Sequence, residues 1–361
     1  MTYSQPLRQK FFGPTLILIT VLTASCTTDL RGVPNASTCE KYSGDTIVGP
    51  EDIVYDDSVG GGRLIFSTQN RRQEAEHGKQ SAPGTLQWFD LSKGEIFRFT
   101  VEGGPDELYP HGIDLVRQPD QSLLLYVVNH GDGESCHSED EPSKNSIETY
   151  FVDGPKLTHK QDGTYSTPIL TNPNDVTATP SGDFYVSNMT QRCSSGIMGT
   201  LLDSIPGFRT GSLLKYEATT KTWTTVLSDL FYPNGVSLNR DGSELWLAES
   251  GSNSVRVFRP KTDGLDLITA FSISTPDNFS LDDKNILVTS HLSKWQFWRH
   301  SHSPDALSPW AIYSLNSTMR SPLPLLQNDG SAMSGASVTV HTDHRLWVGQ
   351  VFGNYLLSCS D

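Results

Sequence analysis

Short runs of β-branched and aromatic residues, bounded by Gly, Pro, Asn and Asp, recur from residue 39 to the carboxyl end, and no helical period of useful length interrupts them. The pattern predicts an all-β chain. Aligning the runs exposes a repeat: a polar residue, a small or acidic one and an apolar one, followed about ten residues later by an apolar strand. Glu51-Asp52-Ile53 precedes Leu64-Ile65-Phe66, His111-Gly112-Ile113 precedes Leu124–Val128, and Asn174-Asp175-Val176 precedes Phe184-Tyr185-Val186. Asn234-Gly235-Val236, Asn278-Phe279-Ser280 and Ala336-Ser337-Val338 stand likewise before Leu245-Trp246-Leu247, Ile286-Leu287-Val288 and Leu346-Trp347-Val348. Turns such as Pro180-Ser181-Gly182-Asp183 and Asn239-Arg240-Asp241-Gly242 join several of the pairs, as hairpins require. Copies 44 to 63 residues apart have the length of propeller blades. The expected fold is therefore all-β, a six-bladed β-propeller with a central channel, formed as a single domain over residues 39–361. Two β-sandwiches compete with this reading, but no composition break or linker divides the chain near its middle.

In a propeller the innermost strands surround the channel, so the repeat starts become neighbours. In order they read Glu51, His111, Asn174, Asn234 and Asn278, with Asp277 one residue earlier in the fifth copy. Two carboxylates and three amide oxygens form a hard-oxygen set of the kind Ca²⁺ takes, whereas zinc would want Cys or several His. A single Asn or Asp at a strand start often only caps its own turn; recurrence over five segments is what favours a shared cation. Asp52 and Asp175, one step along, are candidates for a second, deeper cation, or alternatively bond local backbone amides. His111 is a candidate general base facing the first cation, with His130 within reach by strand pairing. His291 ends the fifth copy and is a candidate for the pocket mouth.

The amino terminus and the charge set the compartment and the partners. Arg8 and Lys10 precede a 12-residue apolar run, Phe11–Leu22, and then Thr23, Ala24, Ser25 and Cys26. Residues 1–25 read as a signal peptide or an uncleaved hydrophobic anchor, since the run is shorter than the roughly 20 residues of a spanning helix. Secretion, or anchoring in a membrane through this segment, is the expectation. Four cysteines follow: Cys39, Cys136, Cys193 and Cys359, which allow three pairings. Sequons begin at Asn35, Asn188, Asn278 and Asn316, and Asn35, Asn188 and Asn316 are the candidate glycosylation sites. The chain of 361 residues carries 27 Lys and Arg against 41 Asp and Glu, a net charge of −14, which repels phosphate backbones. Nucleic acid is excluded as a partner, and a small molecule is expected. Searches for a nucleophile elbow, a P-loop, a dinucleotide-binding glycine motif, a His-Glu-x-x-His helix and paired Cys-x-x-Cys all fail, so a cation is the reagent to reason about.

Gly49-Pro50-Glu51-Asp52, Pro110-His111-Gly112-Ile113, Leu125–His130, Asn174-Asp175-Val176, Pro233-Asn234-Gly235-Val236 and Pro276-Asp277-Asn278 together resemble the serum paraoxonase and arylesterase family of calcium-dependent lactonases. The resemblance covers about residues 39–361. It implies that Glu51, Asn174, Asn234, Asp277 and Asn278 hold a catalytic Ca²⁺ and that Asp52, Asp175 and the carbonyl of Ile113 hold a structural one. It further implies a His111–His130 dyad activating water, a Cys39–Cys359 disulfide, and lactones or aryl esters as substrates. The chain departs from the family after His130, where an insertion carries Cys136, and after Tyr185, where Asn188-Met189-Thr190 and a stretch with Cys193 replace an Asp-His pair. Cys136 and Cys193 are candidates to tie these two loops together. A gluconolactonase-type hydrolase with one cation, and a non-catalytic secreted binding propeller, are the alternative readings.

Overall fold

The computed structural model describes residues 30, 32–44, 46–77, 82–131, 144–190, 209–283 and 285–360. The amino-terminal segment, Cys26, Cys136 and Cys193 lie outside them. The described strands gather into six sheets, five of four strands and one of five; four follow the chain from an inner to an outer strand, while Thr100–Glu102 and Glu40–Ser43, each earlier in the chain than its inner strand, form the outer edges of the other two. Every inner strand packs beside that of the next blade, and the sixth packs beside the first, so the expected six-bladed propeller is the fold. The second strands of the blades are covered on both sides by neighbouring blades, and their sequences are accordingly apolar without alternation. Leu123–Asn129 and Phe184–Asn188 are buried throughout, whereas the outer strand Thr222–Leu230 is largely exposed. Between blades two and three, Tyr126, Val176, Phe184 and Tyr216 form one apolar cluster.

The ring is closed by the amino-terminal strand Glu40–Ser43, which pairs antiparallel with the last strand, Tyr355–Ser360. Cys39 and Cys359 are disulfide-bonded beside this pairing, across 320 residues of sequence. Closure also runs through the inner ring, where the Ser337 hydroxyl donates to the Glu51 carbonyl at 2.6 Å.

The inner strands share one irregularity. They are Pro50–Asp56, Pro110–Arg117, Pro173–Ala178, Pro233–Leu238, Pro276–Asp282 and Ala336–Thr342, and in each the register with the second strand slips by one residue between the first and fourth positions. This is a β-bulge at the same place in all six blades. A bulge leaves an extra residue unpaired and re-aims its side chains. The two residues inside it are Glu51-Asp52, His111-Gly112, Asn174-Asp175, Asn234-Gly235, Asp277-Asn278 and Ser337-Val338. The bulge corrects the sequence alignment by one residue in the last two copies: Asp277, not Asn278, is the counterpart of Glu51, and Ala336 is the counterpart of the prolines.

Removing the cross-link by Cys39→Ser with Cys359→Ser should lower stability by about 5–6 kcal/mol if loop entropy dominates. Equilibrium urea unfolding of oxidised parent and variant checks this as a shift in midpoint.

Candidate functional site

The bulges bring five segments to one end of the channel. Asn278 Nδ2 donates to Glu51 Oε1 at 2.8 Å, across 227 residues of sequence. His111 Nε2 lies 3.6 Å from Glu51 Oε2 and 3.5 Å from Asn174 Nδ2. The side chains of Glu51, Asn174, Asn234, Asp277 and Asn278 are all buried. Four of their oxygens, Glu51 Oε2, Asn174 Oδ1, Asn234 Oδ1 and Asn278 Oδ1, have no hydrogen-bond partner. Buried acceptors without donors are costly and rare, and four among the expected ligands fit a cation that takes hard oxygens. No group of three His, Cys, Asp or Glu side chains that could hold a metal occurs among the described residues, so amide oxygens make up the greater part of this set.

Asp52 and Asp175 occupy the second bulge position, where their blades alternate with the glycines of the next. Asp52 accepts from the N–H of Ile53 at 2.9 Å and of Ile113 in the next blade at 2.7 Å. Asp175 repeats this with Val176 at 2.7 Å and Val236 at 2.8 Å. Both carboxylates therefore staple neighbouring blades. Glycine is needed between them: a Cβ on Gly112 would stand 2.4 Å from Asp175 Oδ1 and 2.6 Å from the Asn174 carbonyl. Asp114, which the repeat does not single out, stitches blade two to blade three by accepting from Ala178 N–H at 2.7 Å.

Negative charge is crowded and buried here. Burial raises the Glu51 carboxyl to about 7, opposed by the Arg71 guanidinium and reinforced by Asp277. Asp52 is pushed well above the carboxylate range by burial and by the charges of Asp175 and Glu51. Asp175 is raised by burial against the pull of its two backbone N–H groups, and Asp114 is raised by burial to about 6. His111 moves the other way, well below its ordinary value, because burial, Arg71 and His130 all disfavour imidazolium. It is a neutral ring near neutral pH. Arg71 was not legible as a site residue, yet it bonds the carbonyls of Gly49 at 3.3 Å, two residues before Glu51, and of Pro110 at 2.7 Å, just before His111. It opens a short helix, α1, Arg71–His77.

His111 Nδ1 and His130 Nε2 are 3.0 Å apart, so strand pairing does join the two imidazoles. His291 is not at a mouth. It is 3% exposed, its Nε2 lies 2.9 Å from Asp277 Oδ2, and Phe297 of a second helix, α2 (Lys294–His302), covers it with ring centroids 4.0 Å apart. Asn188 is a correction of another kind. Its amide is fully buried, accepts from Asn172 N–H at 2.7 Å and donates to Thr171 at 3.0 Å, which leaves no room for a glycan on the folded chain. Asn278 is buried as well. Asn35 is exposed, and Asn316 is half-buried with its oxygen capping Thr318. No helix among the described residues is long and apolar enough to cross a membrane.

Fold and site define a class: a six-bladed propeller whose bulged inner strands gather acids, amides and an imidazole pair at one end of the channel. Residues 77–360 match the family described as Arylesterase, and the chain belongs to that family. It is 24% identical over 315 residues to serum paraoxonase/arylesterase 2 of Gallus gallus, covering 84% of each chain. It is 23% identical over 329 residues to serum paraoxonase/arylesterase 1 of Rattus norvegicus, covering 87% of this chain and 86% of that one. Among solved structures, a luciferin-regenerating enzyme superposes with a TM-score of 0.53 at 14% identity over 90% of this chain and 95% of that chain, a likeness of fold. Family and fold make the chain a hydrolase of the esterase kind.

The raised carboxyls set a pH dependence for the metal-free protein. Groups whose folded pKa exceeds the unfolded one bind more protons when folded, so stability falls as pH rises from the ordinary carboxylate range through about 7, where Glu51 titrates. In chelator, the thermal midpoint should be higher at pH 5.5 than at pH 8. Differential scanning fluorimetry checks the sign.

Proposed function

We propose that the protein is a calcium-dependent hydrolase of lactones and aryl esters. Glu51, Asn174, Asn234, Asp277 and Asn278 would hold one Ca²⁺, and Asp52, Asp175 and the Ile113 carbonyl a second. The observation that carries the reading is the set of four buried, partnerless oxygens on the residues that the resemblance implies as ligands. Bound there, Ca²⁺ supplies polarisation of the ester carbonyl and stabilisation of the charge that develops on its oxygen. The chain supplies the proton handling. His111 Nε2 takes a proton from the water that attacks the carbonyl carbon, and returns it to the oxygen of the departing alcohol as the C–O bond breaks. His130, bonded to the other ring nitrogen, shares the charge that His111 acquires. Burial keeps His111 neutral and so competent as a base near neutral pH. The arylesterase and paraoxonase names of the relatives support an ester or lactone substrate. The apolar amino-terminal run and the disulfide support secretion, or anchoring on the outer side of a membrane.

A one-cation form of the same reading, of the gluconolactonase type, is favoured by the two backbone donors that each of Asp52 and Asp175 already has. Calcium stoichiometry by equilibrium dialysis separates the two forms. For the activity itself, hydrolysis of phenyl acetate and of a lipophilic lactone should be abolished by chelator and restored by Ca²⁺. Absence of calcium-dependent turnover on either would favour a binding propeller. His111→Gln should lower kcat by roughly 10²–10⁴-fold while calcium affinity persists. Asn234→Ala should weaken calcium binding and turnover together, with the titration of activity against free Ca²⁺ shifted to higher concentration.

A further inference from the structure

The imidazole pair does not end at His130. His130 Nδ1 faces Asn145 Oδ1 at 3.3 Å, and Asn145 is fully buried. The other end of that amide is fixed: Nδ2 donates to the carbonyls of Thr171 at 2.9 Å and Leu170 at 3.2 Å, both in the linker that leads to Asn174. Flipping the amide would set its oxygen against two carbonyl oxygens, so the orientation is decided by its donors. With an acceptor at Asn145 Oδ1, the proton of neutral His130 sits on Nδ1 and its lone pair on Nε2. That lone pair faces His111 Nδ1, which must then carry the proton of its own ring. The one lone pair left on His111 is at Nε2, on the side of Glu51 and of the Asn174 amide, whose Nδ2 is a donor to it at 3.5 Å. Each link is fixed by the one before it.

We propose that Asn145 is a positioning residue that sets the proton arrangement of His130 and, through it, of His111, so that the basic nitrogen of His111 is presented to the channel. The inference rests on the hydrolase reading for its kinetic consequence and on geometry alone for the tautomers. Asn145 stands outside the six repeats, and its effect on His111 passes through His130. It also joins blade two to the strand that carries Asn174, so its orientation ties the imidazole pair to the oxygen set.

The test uses the full chain with ¹⁵N-labelled histidine, as wild type, Asn145→Leu and Asn145→Asp. Leucine removes the acceptor at similar volume, and aspartate keeps it. Histidine ring NMR of the wild type should show His130 protonated at Nδ1 and His111 bare at Nε2, and Asn145→Leu should lose this pattern or mix it with the other tautomer. On phenyl acetate, Asn145→Leu should lower kcat roughly 10–100-fold with KM nearly unchanged, since the loss is of transition-state proton transfer. Asn145→Asp should keep His130 protonated at Nδ1, although its second oxygen meets the carbonyls of Leu170 and Thr171 where the amide donated. A wild-type His130 bare at Nδ1 overturns the proposal, whether or not the leucine variant folds. So does a leucine variant that keeps both the tautomers and kcat. If the wild type shows the expected tautomers but no esterase activity, the hydrolase reading fails and the tautomer assignment stands.

Discussion

One extra residue in each inner strand is the constraint on which the site depends. A regular strand would send consecutive side chains to opposite faces, so Glu51 and Asp52 could not both serve the channel. The bulge relieves that alternation six times at the same depth, and ring closure turns six local defects into one gathering of donors and acceptors. Prolines stand at the head of five of these strands, where an N–H is not needed by the ladder. The same distortion supplies two layers: an upper one in Glu51, His111, Asn174, Asn234 and Asp277, and a lower one in Asp52 and Asp175, which hold blade to blade.

The layers oppose folding in the absence of a counter-charge. Glu51, Asp52, Asp175 and Asp277 are buried within or beside the bulge ring, Asp114 is half-buried beside it, and Arg71 is the cation whose charge acts on both Glu51 and His111. Backbone N–H groups lower the burden for Asp52 and Asp175 without removing it. Elsewhere buried charges such as Asp56 and Arg63 are paired with each other; in the channel the acids crowd together, and there stability and chemistry are coupled. Hydrogen bonds satisfy the lower layer more fully than the upper, so the upper layer is the part open to a ligand.

Much of this was legible in the sequence because the repeat is written in residue types that a turn alone would not require. Glu51, Asn174 and Asn234 recur at equivalent places, and the fold makes equivalence into proximity. The alignment slipped by one residue at Asp277-Asn278 and Ala336-Ser337 because the bulge makes two successive residues candidates for one role, and apolar spacing cannot choose between them. Asn188 carried a glycosylation triplet but lies in a second strand, where both faces are covered; the triplet reports nothing about burial. Arg71 and Asn145 were invisible for a different reason. They lie outside the repeats and reach the site through carbonyls and another side chain, which no spacing records. His291 was placed at the right end of the right strand, but the helix that covers it with Phe297 comes from a loop whose path the pattern does not contain.

The completion of the sixth blade by Glu40–Ser43 has a temporal side. The strand is made long before its partner Tyr355–Ser360. At roughly 5–20 residues per second, the first strand waits tens of seconds on the ribosome with its edge open to any neighbouring chain. The nascent protein is thus an unfinished ring until Tyr355–Ser360 has been made, with one strand edge unpaired in the meantime.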